Sequence, residues 1–303
     1  MEIVGQPGKQ QTINPPPNFG DLPAEHSRYE TARVVVWPVP FERTTTYKHG
    51  TSRGPGAIID ASRNMETYDD ELGCEIFEKI GGIATAAPLP TQEAPLEKVI
   101  ADLHTAALQF LSDGKCFVML GGEHSITAPA VAACAKKFPH LSVLQIDAHA
   151  DLRDTYQESK WSHACAMRRV VEICPAVQVG IRAISSEEAE IIPRLPTKIF
   201  WAKDIAHRPP EEWVPHVVAS LTENVYLTVD LDGFDPSYVP ATGTPEPGGL
   251  NWHQVTSLIR EVARKRKIVS MDVVELLPQP GDHASDFLAA KLIYKAIGYI
   301  FLR

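Results

Sequence analysis

From residue 33 onward, short apolar runs rich in β-branched residues alternate with longer segments whose apolar positions recur every three or four residues. The runs cover 33–39, 115–120, 141–147, 176–181, 198–201, 224–231 and 267–276. Most are hydrophobic without alternation, the pattern of strands covered on both faces of a parallel sheet. Leu96, Val99, Ile100, Leu103, Ala107 and Phe110 make one helix stripe that closes near Gly114. Pro55 after Gly54 suits the first turn of a helix through Ile58 and Ile59, and a last, largely apolar helix is expected over 284–299. With no repeat, linker or composition break, the alternation predicts one doubly wound α/β domain over 31–303. The first thirty residues stay outside it; with Pro15, Pro16 and Pro17 in a row they read as an extended arm lying on the surface or on a neighbouring subunit.

Composition narrows the function. The chain has 303 residues, 44% of them hydrophobic, enough for a sizeable core and too many for disorder as the main state. Twenty-nine Lys and Arg against 38 Asp and Glu give a formal charge of -9, which disfavours nucleic acid as a partner and suits a small cationic substrate. No run of about 18 apolar residues offers a membrane span, and the N-terminus has no apolar signal core. Cys74, Cys116, Cys134, Cys165 and Cys174 are odd in number and form no C-x-x-C pair, so they read as reduced core or loop residues of a soluble cytoplasmic protein.

Parallel sheets bind ligands beyond the carboxyl ends of their strands, and the polar clusters fall there. Gly121-Gly122-Glu123-His124-Ser125 follows one run, Asp147-Ala148-His149-Ala150-Asp151 the next, Asp230-Leu231-Asp232 a third, and Glu275 closes the last. If the Asp-x-His-x-Asp triplet continues its strand, alternate side chains share one side, and three ionisable groups in a low-dielectric mouth need neutralising. Asp147 alone could be a helix cap. Joined by a second Asp-x-Asp and a Gly-Gly-x-His, the set reads as a metal site. Four carboxylates and two imidazoles without a thiolate suit Mn²⁺ better than structural zinc. Six ligands are too many for one catalytic ion with an open position. Two ions bridged by carboxylates, roughly 3.5–4 Å apart, would use all six and lower the pKa of a water held between them.

The blocks GGEHS (121–125), DAHAD (147–151), SHA (162–164), DLDGFDPSYVPATGTPEPGG (230–249) and MDVVEL (271–276) resemble those of the ureohydrolase family, the arginases and agmatinases, with the agmatinase branch the nearer. The similarity runs in order from about Arg33 to the C-terminus. It implies a three-layer α/β/α sandwich around a mainly parallel eight-stranded sheet. It further implies two Mn²⁺ per subunit, one on His124, Asp147, Asp151 and Asp230, the other on Asp147, His149, Asp230 and Asp232, with Asp147 and Asp230 bridging. His163 matches the family's proton-shuttling histidine, Glu275 the carboxylate that pairs with the substrate guanidinium, and Thr244 a threonine beside that group. Trimers or hexamers are implied as well.

The chemistry of the residues agrees. A guanidinium carbon is a poor electrophile, so attack by a metal-bridging hydroxide needs a fixed orientation, which a charge-assisted pair with Glu275 would give. Asp151 can relay a proton to the leaving amine, and His163 can exchange it with solvent. Leu152-Arg153-Asp154-Thr155-Tyr156 lacks the Asn-bearing pattern with which arginase holds an α-carboxylate. The expected reaction is therefore hydrolysis of agmatine to putrescine and urea, with guanidinobutyrate, aminopropylagmatine and arginine as alternatives. Ala164, where other versions have Gly, bears on the shape of the entry beside His163. A non-catalytic metal-dependent binding protein is the competing class; loss of a ligand or of Glu275 would favour it, and none is lost. Gly121-Gly122 and Gly248-Gly249 are expected to allow tight turns, and Pro236, Pro240, Pro245 and Pro247 to stiffen a loop forming part of the substrate wall.

Overall fold

The structure, a computed structural model, describes residues 17–302. All seven apolar runs form strands, here β1 (Val34–Val39), β3 (Cys116–Gly121), β4 (Leu141–Ile146), β5 (Ala176–Ile181), β6 (Thr197–Trp201), β7 (Asn224–Asp230) and β8 (Lys267–Val274). An eighth, β2 (Ile83–Thr85), is only three residues long and gives no hydrophobic pattern to read. The sheet order is β2-β1-β3-β8-β7-β4-β5-β6, with every neighbouring pair parallel.

The strands are apolar on both faces because helices cover both. Val34, Val36, Val118, Leu120, Leu144, Ile146, Leu227 and Val229 pack with the helices Gly54–Ser62, Pro210–Ser220, Trp252–Lys265 and Ala284–Phe301. Trp37, Phe117, Met119, Val143 and Tyr226 pack with Leu96–Ser112, Thr127–Lys137 and Ala166–Val171. This is the three-layer sandwich. The stripe on Leu96–Ser112 buries Val99, Leu103, Ala107 and Leu111 at four-residue steps, and the chain turns away at Gly114 with φ 74°.

The arm expected over 1–30 lies outside the described residues as far as residue 16. From Pro17 the chain lies on the domain: Phe19 is fully buried, its amide donates to Thr85 Oγ1 at 2.9 Å, and the Gly20 amide donates to Ser62 Oγ at 2.8 Å. Among the described residues, no helix is long and apolar enough to cross a membrane.

The four central neighbours β3, β8, β7 and β4 end, in that order, at the GGEHS loop, at Glu275, at Asp230 and just before Asp147. Parallel pairing puts all four carboxyl ends on one edge, so topology alone gathers clusters up to 154 residues apart in the chain.

Candidate metal centre

His124 begins the turn after β3. A Cβ on Gly122 would lie 2.0 Å from the Phe41 carbonyl oxygen, so only glycine lets the turn pass beneath the loop after β1. The His124 ring is buried, and its Nδ1 faces Asp151 Oδ2 at 3.0 Å, Asp147 Oδ2 at 3.1 Å and Asp230 Oδ2 at 3.5 Å without hydrogen-bond geometry to any of them. On the other side, His149 Nδ1 lies 2.9 Å from Asp232 Oδ2 and 3.7 Å from Asp147 Oδ1. Two triads result, His124 with Asp147 and Asp151, and Asp147 with His149 and Asp232, each able to offer one ligand atom per residue within 4.8 Å. Asp147 belongs to both. A buried nitrogen without hydrogen-bond geometry, converging with three carboxylate oxygens, fits a divalent cation; without one, Asp147 and Asp151 favour a protonated ring and raise the His124 pKa against the pull of burial.

The carboxylates are themselves held. Asp147 Oδ2 accepts from Gln145 Nε2 and its Oδ1 from the His149 amide, both at 2.6 Å. Asp232 Oδ1 accepts from the Ala148 amide at 3.1 Å, and Asp230 Oδ1 from the Asp232 amide at 2.9 Å. Such partners fix ligand orientation before any ion arrives. The triplet 147–151 does not continue the pleat of its strand as expected. β4 stops at Ile146, where its pairing with β7 runs out, and the chain then curls: His149 makes a lone bridge to Ala183, and Asp151 has φ 53°. A loop rather than a strand aims the three side chains.

Without cations two of these buried acids, Asp230 and Asp151, hold on to protons, while His124 and His149 outweigh burial at Asp147 and lower its pKa. Burial pushes Asp230 well up, with Asp232 and Asp147 adding to it, and pushes Asp151 up to about 6, with Asp147 adding and His124 opposing. Burial pulls on His149 in the other direction, but Asp232 and Asp147 outweigh it and raise the imidazole to about 12. Protons occupy the charge deficit that cations would fill.

His149, Asp151, Asp230 and Asp232 of the cluster line a pocket of about 300 Å³ whose walls include His163, Thr244 and Glu275. Glu275 has φ 64°, a strained setting for a non-glycine residue, and accepts the His124 amide on Oε1 at 2.7 Å. Burial, then the nearby Glu123, drives its carboxyl well above the ordinary range. Thr244 sits exposed on the wall. His163 Nδ1 lies 3.1 Å from Thr44 Oγ1, which also accepts the His163 amide at 2.9 Å and donates to Glu123 Oε1 at 2.8 Å. Burial lowers the His163 pKa, with Glu123 opposing.

A family model described as "Arginase family" matches residues 32–298. The chain belongs to the arginase family. It is 41% identical over 278 residues to the N(1)-aminopropylagmatine ureohydrolase of Synechocystis sp., covering 89% of this chain and 90% of that one, and 32% identical over 268 residues to the agmatinase of Pyrococcus horikoshii, at 88% and 92%. The solved structure of agmatine ureohydrolase from Thermoplasma volcanium superposes with a TM-score of 0.85 at 32% identity, covering 95% of each chain. As a ureohydrolase of this family, the protein is a hydrolase of guanidino compounds.

Around the site of this ureohydrolase are residues to which the sequence pattern assigned no role. Glu123, fully buried, accepts the amides of Arg43 and Thr44 at 2.6 and 2.7 Å and the Ser125 hydroxyl at 2.6 Å, tying the loop after β1 to the turn after β3. The loop after β1 is itself a strand-end loop, and its polar run Glu42–Thr46 was the available signal. Arg182 fans its guanidinium over the carbonyls of Asp232 and Glu246, each at 2.7 Å, and of Gly180 at 3.1 Å and Phe234 at 3.2 Å, fastening the proline-bearing loop to the end of β5.

Proposed function

We propose that this ureohydrolase releases urea from an agmatine-type guanidine, with N1-aminopropylagmatine the first candidate and agmatine the second. The observation that carries the reading is two ligand triads sharing Asp147, whose members His149, Asp151 and Asp232 line a pocket that also presents Glu275 and His163. The order of candidates follows the relatives, 41% identity to one named for aminopropylagmatine against 32% to one named for agmatine. Lys48 and Arg153 on the outer wall favour a second reading, a carboxylate-ended substrate such as guanidinobutyrate.

His124, Asp147, Asp151 and Asp230 would hold one Mn²⁺, and Asp147, His149, Asp230 and Asp232 the other. Bound there, the ions neutralise the acids and activate water as the nucleophile. Glu275 has a buried carboxyl group with no ion-pair partner among the described residues, and a guanidinium supplies the missing charge while its planar N–H groups fix the orientation. Asp151 passes a proton towards the leaving amine. His163 is neutral at pH 7 and can take up a proton at the mouth and return it to solvent. The reading includes a cytoplasmic homo-oligomer of three or six chains, which light scattering checks.

Urea release from Mn²⁺-loaded protein across aminopropylagmatine, agmatine, guanidinobutyrate and arginine tests the proposal. The expected order of kcat/KM places aminopropylagmatine first and arginine last. A guanidinobutyrate maximum would select the second reading, and tight metal binding with no urea from any substrate would leave a binding protein.

A further inference from the structure

Asp272 lies on β8, fully buried and outside the pocket lining, with no Lys or Arg ion-pair partner among the described residues. Such a carboxylate is costly to keep, and its contacts show what it does. Oδ2 accepts hydroxyls from Thr127 at 2.9 Å and Tyr226 at 2.7 Å, and Oδ1 accepts the Thr228 hydroxyl at 2.6 Å. Thr228 Oγ1 also lies 2.9 Å from His124 Nε2.

Proton counting fixes the ring. The single hydroxyl proton of Thr228 is committed to Asp272, so towards His124 that oxygen can only accept, and Nε2 must carry hydrogen. In the neutral imidazole this leaves the lone pair on Nδ1, the nitrogen that faces Asp147, Asp151 and Asp230 without a hydrogen bond. Thr127 sits one turn after His124, so the same carboxylate also anchors the backbone segment that carries the ring. We propose that Asp272, acting through Thr228, is a positioning residue that sets the tautomer and aim of His124 for a divalent cation. This rests on the metal reading given above.

A purely structural buried cluster would affect melting alone, whereas a positioning role predicts a loss confined to one of two cation sites. Calorimetric titration with Mn²⁺, bound metal per chain after desalting, and circular dichroism of the fold make the test. Wild-type protein is expected to bind two ions. Thr228→Val should weaken one of them about 10- to 100-fold and spare the ion served by Asp147, His149 and Asp232. Thr228→Ser, which restores the hydroxyl, should return affinity to within about threefold of wild type. In Asp272→Asn the amide oxygen keeps the side facing two hydroxyls, so the NH₂ group meets Thr228. Thr228 then donates to Nε2, the proton moves to Nδ1, and the same selective loss should follow. Asp272→Asn keeps side-chain shape and carries the test where Thr228→Val does not fold. Folded Thr228→Val or Asp272→Asn protein with both affinities intact would overturn the proposal. Wild-type protein that binds no Mn²⁺ would instead overturn the metal reading on which it stands.

Discussion

At His163 one threonine hydroxyl decides which ring nitrogen is basic. Thr44 Oγ1 gives its proton to Glu123 and can only accept from Nδ1, so Nε2 keeps the lone pair. His163→Ala should slow turnover about 100-fold with both metal ions retained, and Thr44→Val about 10-fold, since only orientation is lost. Steady-state kinetics alongside metal analysis checks both; metal loss matching the loss of rate would remove His163 from the proton path. The pH dependence follows from the sign of the shift. Because burial lowers the His163 pKa below 6.5, the neutral ring persists to mildly acid pH, and its contribution to rate disappears only as pH falls through that lowered value. The acids and imidazoles were legible in the sequence because strand ends bearing Asp-x-His-x-Asp have few structural explanations. The roles of Thr44 and Thr228 were not, because a hydroxyl that orients a ring has no characteristic spacing and acts across 104 to 119 residues of chain.

Among the elements, seven of the eight strands of the main sheet could be read from continuous apolar runs, and the helix 96–112 from its stripe. The pattern worked because both faces of the sheet are covered. It missed Ile83–Thr85, where three residues at an edge pair with one neighbour only and carry too little hydrophobic signal. It also carried the strand one residue too far at Asp147, since nothing in the residues announces where parallel pairing ends. The proline-bearing loop shows the same limit. Its prolines suggested stiffness, but its position depends on Arg182, which follows the last residue of β5 and lies 50 and 64 residues in sequence from the Asp232 and Glu246 carbonyls it binds. Removing that guanidinium leaves the carbonyls of Asp232, Phe234 and Glu246 without their shared donor, at a cost of about 1–3 kcal/mol. Arg182→Ala is therefore expected to speed proteolytic cleavage within 234–249 and to raise KM more than it lowers kcat. Cleavage at the wild-type rate would show that the prolines suffice.

For the molecule as a whole, the charge of -9 includes acids that folding places against one another at the centre of the sheet edge. Raising a carboxyl's pKa on folding costs stability at any pH above its unfolded value, and the cost grows until the folded pKa is passed. Burial raises Asp151 to about 6, and burial with neighbouring charge raises Asp230 well above its ordinary value, so the ion-free protein loses stability as pH rises from about 4 through 6. Divalent cations remove that cost and add binding free energy, about 2.7 kcal/mol per site at one hundred times Kd. At roughly 1.5 °C per kcal/mol for a chain of this size, one site corresponds to a melting shift of about 4 °C. Calorimetry at pH 8 should therefore show Mn²⁺-loaded protein melting at least that far above protein stripped with chelator. At pH 5.5 the gap should narrow from both directions, as protons satisfy the acids of the stripped form and compete with the ions of the loaded form. A gap that stayed constant between these two pH values would mean that the buried acids are not the groups the ions neutralise.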